Sequence, residues 1–179
     1  MTIAEEVRAR FAWVGGHADV WRFFLDAQLF TDIVDALSAS FADAGVTKVV
    51  GIESRGFILG PPVALRLGAG FAAIRKRGGL LPGNKIEQLS GSDYRGRTHT
   101  FVMQVGAILP GDVVLLVDDW AENGAQALAA KALVERGGGR FEGASLIVDD
   151  LRDDVRAALG NVHAVVARSS LPPDDEEGP

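Results

Sequence analysis

The chain has 179 residues, 47% of them apolar and 23% charged, which fits one globular domain with a sizeable core. A net charge of −6 argues against sequence-independent nucleic-acid binding, which needs a basic surface, and the absence of cysteine excludes disulfides, thiolate metal sites and a cysteine nucleophile. No apolar run reaches membrane-spanning length and no basic-then-apolar leader opens the sequence, so the expected setting is the cytoplasm, with neither membrane nor nucleic acid as partner.

Thr2 to Trp13 mixes charged and apolar residues at helical spacing, with Ile3, Val7 and Phe11 in one stripe, and Gly15-Gly16 breaks it. Trp21 to Phe41 is again helical, with Phe30, Ile33, Val34, Leu37 and Phe41 on one side and Gly45 as the expected cap. Lys48 to Glu53 is a short apolar strand. A helix from Gly56 carries Leu59, Val63 and Leu67 and stops at Gly68; Pro61-Pro62 is expected in its first turn, where proline is tolerated. Gly70 to Arg75 is the next strand. Gly78 to Gly106 is glycine-punctuated, and only Thr98 to Val105 alternates like a strand, the pattern of a lid or solvated hairpin.

Asp112 to Arg136 is the most informative stretch. Five apolar residues, Val113 to Val117, read as a strand buried on both faces. Asp118 and Asp119 end it, a loop from Trp120 to Gln126 follows, and an Ala/Leu-rich helix carries Leu128, Ala132 and Leu133. A loop at the carboxyl end of a parallel strand is where open α/β sheets bind ligands, and a helix N-terminus suits a phosphate. The carboxylates cannot contact phosphate directly. They could hold sugar hydroxyls or a hydrated Mg²⁺, so the ligand would carry both a ribose diol and a phosphate. A strand end with a solvated acidic turn is the alternative reading. Ala144 to Val148 is one more buried strand, and Val162 to Val166 an edge strand. One domain is expected over residues 1–168, with an acidic, proline-rich, disordered tail over 169–179. His17, His99 and His163 are too scattered to suggest a metal site.

Alternating strands and helices of these lengths predict a doubly wound α/β fold on a central parallel sheet. The hydrophobic run, Asp118-Asp119 pair and loop resemble the binding motif for 5-phosphoribosyl 1-diphosphate (PRPP) of type I phosphoribosyltransferases. Val49 to Gly60, centred on Glu53-Ser54-Arg55-Gly56, is similar to the diphosphate loop of adenine phosphoribosyltransferases. Arg75-Lys76-Arg77-Gly78 followed by Leu81-Pro82-Gly83 is similar to that family's next loop. The order and spacing of all three agree over roughly residues 17 to 150. Asn123-Gly124, and Phe24 to Gln28, look closer to xanthine phosphoribosyltransferases.

The resemblance implies a five-stranded parallel sheet, a small N-terminal hood over the base and a flexible flap. It implies a purine phosphoribosyltransferase of purine salvage, adenine favoured, that uses PRPP with Mg²⁺, releases diphosphate and forms a homodimer. PRPP would be held by Arg55, Arg75, Lys76, Asp118, Asp119, Ala121, Glu122, Asn123, Gly124, Ala125 and Gln126. Asp118 and Asp119 would carry the ribose hydroxyls and the metal, the latter indirectly through water or ribose. Asp26 and Phe24 would read the base, Asp26 favouring an amino-bearing edge, while Trp120 is read as a packing residue rather than a base platform. The sequence departs from the adenine pattern in three places. Glu122 to Gln126 replaces the threonine-bearing phosphate loop, the flap lacks its glutamate around Leu89 to Tyr94, and the aromatic-Arg-Asp element of the adenine pocket is reduced to His17-Ala18-Asp19. Glu122 would then serve as the acid or base that the flap lacks. The alternatives are a non-catalytic sensor of PRPP or nucleotide on the same fold, and a transferase for a non-purine base.

Overall fold

The computed structural model describes residues 1–91 and 97–174. Its frame is a seven-stranded sheet in the order β5-β6-β4-β3-β7-β8-β9. The strands are β3 (Lys48–Ile52), β4 (Gly70–Lys76), β5 (Lys85–Leu89), β6 (Thr100–Gln104), β7 (Val113–Ala121), β8 (Arg140–Asp149) and β9 (Asn161–Ala167). Strands β4, β3, β7, β8 and β9 pair in parallel, the five expected. Strands β5 and β6 add an antiparallel hairpin at the β4 edge. The segment Lys85–Leu89 holds a single short alternation, with Lys85 and Glu87 on one face and Ile86 and Gln88 on the other, so its strand character comes from pairing with β6.

Apolar residues on both faces of the sheet require a layer of helices on each side. Helices α1 (Ile3–Arg10), α2 (Ala27–Ala39) and α3 (Gly56–Leu67) bury Val7, Leu29, Ile33, Leu37, Leu59 and Val63 against one face. Helices α4 (Ala125–Arg136) and α5 (Asp153–Leu159) bury Ala130, Leu133, Val134, Val155 and Leu159 against the other.

Several element boundaries differ from the sequence expectation, each for a local reason. Helix α1 starts after Thr2, which shares a capping box with Glu5, and ends at Arg10. Trp13–Val14 (β1) and His17–Ala18 (β2) then form a small antiparallel hairpin. Gly15 and Gly16, at φ 58° and 71°, make the two-residue turn, which needs positive φ at both positions. Trp21–Phe24 is a 3₁₀ turn, and α2 begins only at Ala27, because the Asp26 side chain accepts from Leu29 N–H at 2.8 Å. The helix ends at Ala39 and Gly45 closes the turn beyond it, rather than capping the helix directly. Pro61 and Pro62 lie in the second turn of α3, not the first. The helix continues past them because Leu59, Val63 and Ala64 are buried against the sheet, which offsets the missing N–H groups.

Past Ala167 the described chain keeps contact with the rest of the molecule. Arg168–Ser170 form a 3₁₀ turn, Leu171 is buried, and the Trp13 indole N–H donates to the Pro172 carbonyl at 3.1 Å. The rest of the acidic tail, residues 175–179, and the flap positions Ser92, Asp93 and Tyr94 lie outside the described residues. None of the described helices is long and apolar enough to cross a membrane.

Candidate active site

Strands β3 and β7 lie side by side and parallel at the centre of the sheet, so the loops at their carboxyl ends meet over one region. After β3 the chain doubles back tightly. A Cβ on Gly51 would stand 2.2 Å from the Gly56 carbonyl oxygen, so only glycine allows this crossing. The turn carries Arg55 to the end of β7, where its Nε pairs with the Asp119 carboxylate. Arg55 and Asp119 are 64 residues apart in sequence.

Strand β7 is longer than the apolar run suggested and includes Asp118, Asp119, Trp120 and Ala121. Its pleat sends successive side chains to opposite faces. Asp119 is buried beneath Arg55, whereas Asp118 faces a cavity of about 880 Å³. Burial of Asp118, and then the neighbouring Asp119 charge, push its carboxyl well above the ordinary value of 3.8; the Asp119 N–H and Arg55 oppose this shift. The Asp119 N–H donates to Asp118 Oδ1 at 3.0 Å, tying the pair together.

The loop is reduced to Glu122, Asn123 and Gly124 before α4 begins at Ala125. Asn123 Oδ1 accepts from Ala125 N–H at 3.0 Å, and the first full helical bond runs from Leu128 N–H to the Gly124 carbonyl at 2.9 Å. The positive end of the α4 dipole therefore points into the cavity, beside the side chains of Asn123 and Gln126. Gly124 adopts φ 71°, and a Cβ there would stand 2.3 Å from Val155 Cγ1. Gly124→Ala is expected to lower stability by about 2–4 kcal/mol, from left-handed strain plus overpacking against α5, and to weaken phosphate binding; thermal denaturation with and without phosphate ligand checks both.

The same cavity is lined by Arg55, Asp118, Ala121, Glu122, Asn123, Gly124 and Gln126 of the expected set. Its opposite wall comes from the hairpin β1–β2 and the residues after it, including His17, Ala18 and Asp19. This hairpin is the N-terminal hood. Trp13, Trp21 and Trp120, all the tryptophans of the chain, also line it. Trp120 is thus more than packing. Its ring lies 6.0 Å from Trp13 and 6.1 Å from Phe11, yet it keeps a face on the cavity.

Asp119 and Ala125 adjoin the cavity without lining it, and the other four expected residues are elsewhere. Asp26 caps α2 and stands 3.5 Å from Arg10 Nη1, and Phe24 packs edge-on against Trp21 and Phe30; neither lines the cavity. Asp26 is therefore a helix cap, because three residues ahead of it the Leu29 amide needs an acceptor. Arg75 donates from Nε to Glu53 at 2.6 Å and from Nη1 to the Leu80 carbonyl at 2.6 Å, so it braces the β3 and β4 loops. The Lys76 N–H donates to the other Glu53 oxygen at 2.9 Å, and its side chain does not line the cavity. Sequence reasoning missed Asp150 and Arg168, which do line it.

No family profile matches the chain. Individual proteins do. The adenine phosphoribosyltransferase of Aeromonas salmonicida is 37% identical over 149 residues, covering 82% of this chain and 81% of that protein. Adenine phosphoribosyltransferase 1 of Triticum aestivum is 39% identical over 148 residues, covering 83% and 80%. Among solved structures, the adenine phosphoribosyltransferase of Rhodothermus marinus superposes with a TM-score of 0.83 at 34% identity, covering 93% of this chain and 98% of that one. The enzyme from Giardia lamblia, solved with 9-deazaadenine, gives a TM-score of 0.84 at 30% identity, covering 94% and 98%.

Proposed function

The chain belongs to the adenine phosphoribosyltransferase family, and on that premise we propose that it transfers the phosphoribosyl group of PRPP to adenine in purine salvage and releases diphosphate. The observation that carries this reading is the single cavity in which Arg55, Asp118, the loop at the α4 N-terminus and the hood meet. The loop takes the 5′-phosphate, Arg55 takes the diphosphate, the carboxylates of β7 take the ribose diol, and the aromatic hood side takes the base.

In the reaction a nitrogen of the base attacks C1′ of PRPP as the C1′–O bond to diphosphate breaks and the nitrogen loses its proton. The transition state has cationic character at the sugar, so placement and a positive shell for the leaving group are what the protein supplies. Asp118 would hold Mg²⁺ from the cavity wall, indirectly through water or ribose, with Asp119 behind it adding negative charge, and the metal would supply charge neutralisation for the departing diphosphate. Asp119 places Arg55, and Asp118 faces the ligand. The working form is a cytoplasmic homodimer; sedimentation equilibrium tests the assembly.

Glu122 is exposed at the cavity rim and accepts or steers the proton lost from the base. Glu122→Gln, nearly isosteric but unable to take a proton, is expected to lower kcat by about 10²-fold or more while PRPP affinity stays within a few-fold. Unchanged kcat with tighter PRPP binding would mean that Glu122 only repels the phosphate.

Diphosphate release from PRPP, followed with adenine, hypoxanthine, guanine and xanthine, tests the whole reading. Adenine is expected to be the best acceptor. Release with none of them, despite calorimetric binding of PRPP, would favour a sensor on this fold.

A further inference from the structure

Two neighbouring strands carry the same pattern, an apolar run followed by two acids: Leu115-Leu116-Val117-Asp118-Asp119 within β7, and Leu146-Ile147-Val148-Asp149-Asp150, where β8 ends at Asp149. In each pair one acid is taken by an arginine and the other faces the cavity. Asp149 is buried, pairs with Arg156 and accepts from Leu151 N–H at 2.9 Å, so it is structural. Asp150 is half-buried on the cavity wall, and its backbone N–H is fixed to the Ala121 carbonyl at 2.9 Å. The Trp120 indole and the Arg168 charge both act on its carboxylate, holding it down against the effect of burial. Arg168 in turn stacks on Trp13, 4.9 Å from the ring centroid.

An acid set among tryptophans needs a reason, because desolvating it costs free energy; burial does raise the Asp150 carboxyl, while Arg168 and Trp120 hold it down. A carboxylate repels phosphate oxygens, so the substrate groups it can face are the uncharged ones, and with Asp118 placed for the ribose diol the base remains for Asp150. A contact with the indole uses a single acceptor position, and a carboxylate has about four. The others can accept from a donor such as an amino group, and donate to nothing.

We propose that Asp150 is the specificity-determining residue of the acceptor site: its carboxylate accepts from the exocyclic amino group of the base, and so selects amino-bearing purines. This is the role the sequence had suggested for Asp26. The inference deepens the adenine reading above and rests on the base lying at the hood side of the cavity.

The test uses nucleotides, so that it does not depend on turnover. AMP and purine riboside 5′-monophosphate differ only in the amino group, and inosine monophosphate carries oxygen in its place. All three tryptophans line the cavity, so quenching of their emission reports occupancy. The wild-type protein is expected to bind AMP about 10- to 100-fold more tightly than purine riboside 5′-monophosphate, the range for a hydrogen bond to a charged group. Asp150→Leu is expected to bring that ratio close to one with PRPP affinity unchanged, and Asp150→Asn, which keeps an acceptor, to retain part of it. An equal loss for all three nucleotides, a ratio unaltered in Asp150→Leu, or no preference in the wild type overturns the proposal. Selective AMP binding through Asp150 without any phosphoribosyl transfer would instead overturn the enzymatic reading alone. Transfer to adenine with an unaltered ratio would overturn only the role of Asp150.

Discussion

Asp118→Asn combined with Asp119→Asn is expected to reduce phosphoribosyl transfer by roughly 10³-fold or more, with the far-ultraviolet spectrum of the folded protein preserved. The two carboxylates act as a unit: Asp119 holds Arg55 in place, and Asp118 faces the ligand from the floor of the cavity. Losses in such a unit do not add, so each single variant should show most of the effect. Stability should move the other way for Asp118→Asn alone. The Asp118 carboxyl titrates well above its ordinary value of 3.8 in the folded protein, so the native state binds that proton more tightly than the unfolded chain. The resulting stabilisation is complete below the ordinary value and is lost as pH rises through the raised one. Above that raised value the wild type therefore carries an ionised, partly desolvated acid that asparagine does not. Asp118→Asn should gain in melting temperature over the wild type as pH rises through the raised value, and the gap should close as pH falls back through it. A gap that instead widens in acid would show that Asp118 is not held protonated by its surroundings. The same proton must leave when Mg²⁺ and PRPP bind, so PRPP affinity should rise with pH through that window.

Arg55→Ala is expected to weaken PRPP and diphosphate by about 30- to 1,000-fold, equivalent to about 2–4 kcal/mol for lost charge-assisted hydrogen bonds. AMP, which lacks the diphosphate, should lose far less, and competition binding with all three ligands measures the contrast. The Arg55 guanidinium pairs with Asp119, and the side chain is 39% exposed. It is thus anchored at Nε and open to solvent at its other end, which suits it to receive a second anion. Removing it also strands the Asp119 carboxylate, 3% exposed, without its partner, so a stability loss of about 1–3 kcal/mol should accompany the binding loss. Arg55→Lys keeps the charge but not the fork, and should fall between. Equal weakening of all three ligands would place Arg55 away from the diphosphate.

The features legible in the chain were those written in contiguous residues. Buried parallel strands are near-continuous apolar runs, and β3, β4, β7, β8 and β9 were all readable on that ground. The Asp118-Asp119 pair, the Asn123-Gly124 turn and the Arg55 loop were readable because each sits at the end of such a run. What pairing decides was not legible. The two-residue strands of the hood are too short to show a period, and β5 is a strand only because β6 lies beside it. The phosphate end of the cavity is local in sequence, since one strand, loop and helix build it. The base end is assembled from Trp13, Trp120, Asp150 and Arg168, which come from the hood and from three adjacent strand ends. No spacing rule links such residues; the parallel pairing of β7, β8 and β9 as neighbours brings them together. Asp26 shows the converse. Its residue type suited a base reader, but the unpaired amide at the start of α2 lies three residues away and takes its carboxylate. A side chain's chemistry is set by composition, whereas the partner it meets is set by packing, and here packing puts Asp150 on the cavity wall and Asp26 off it.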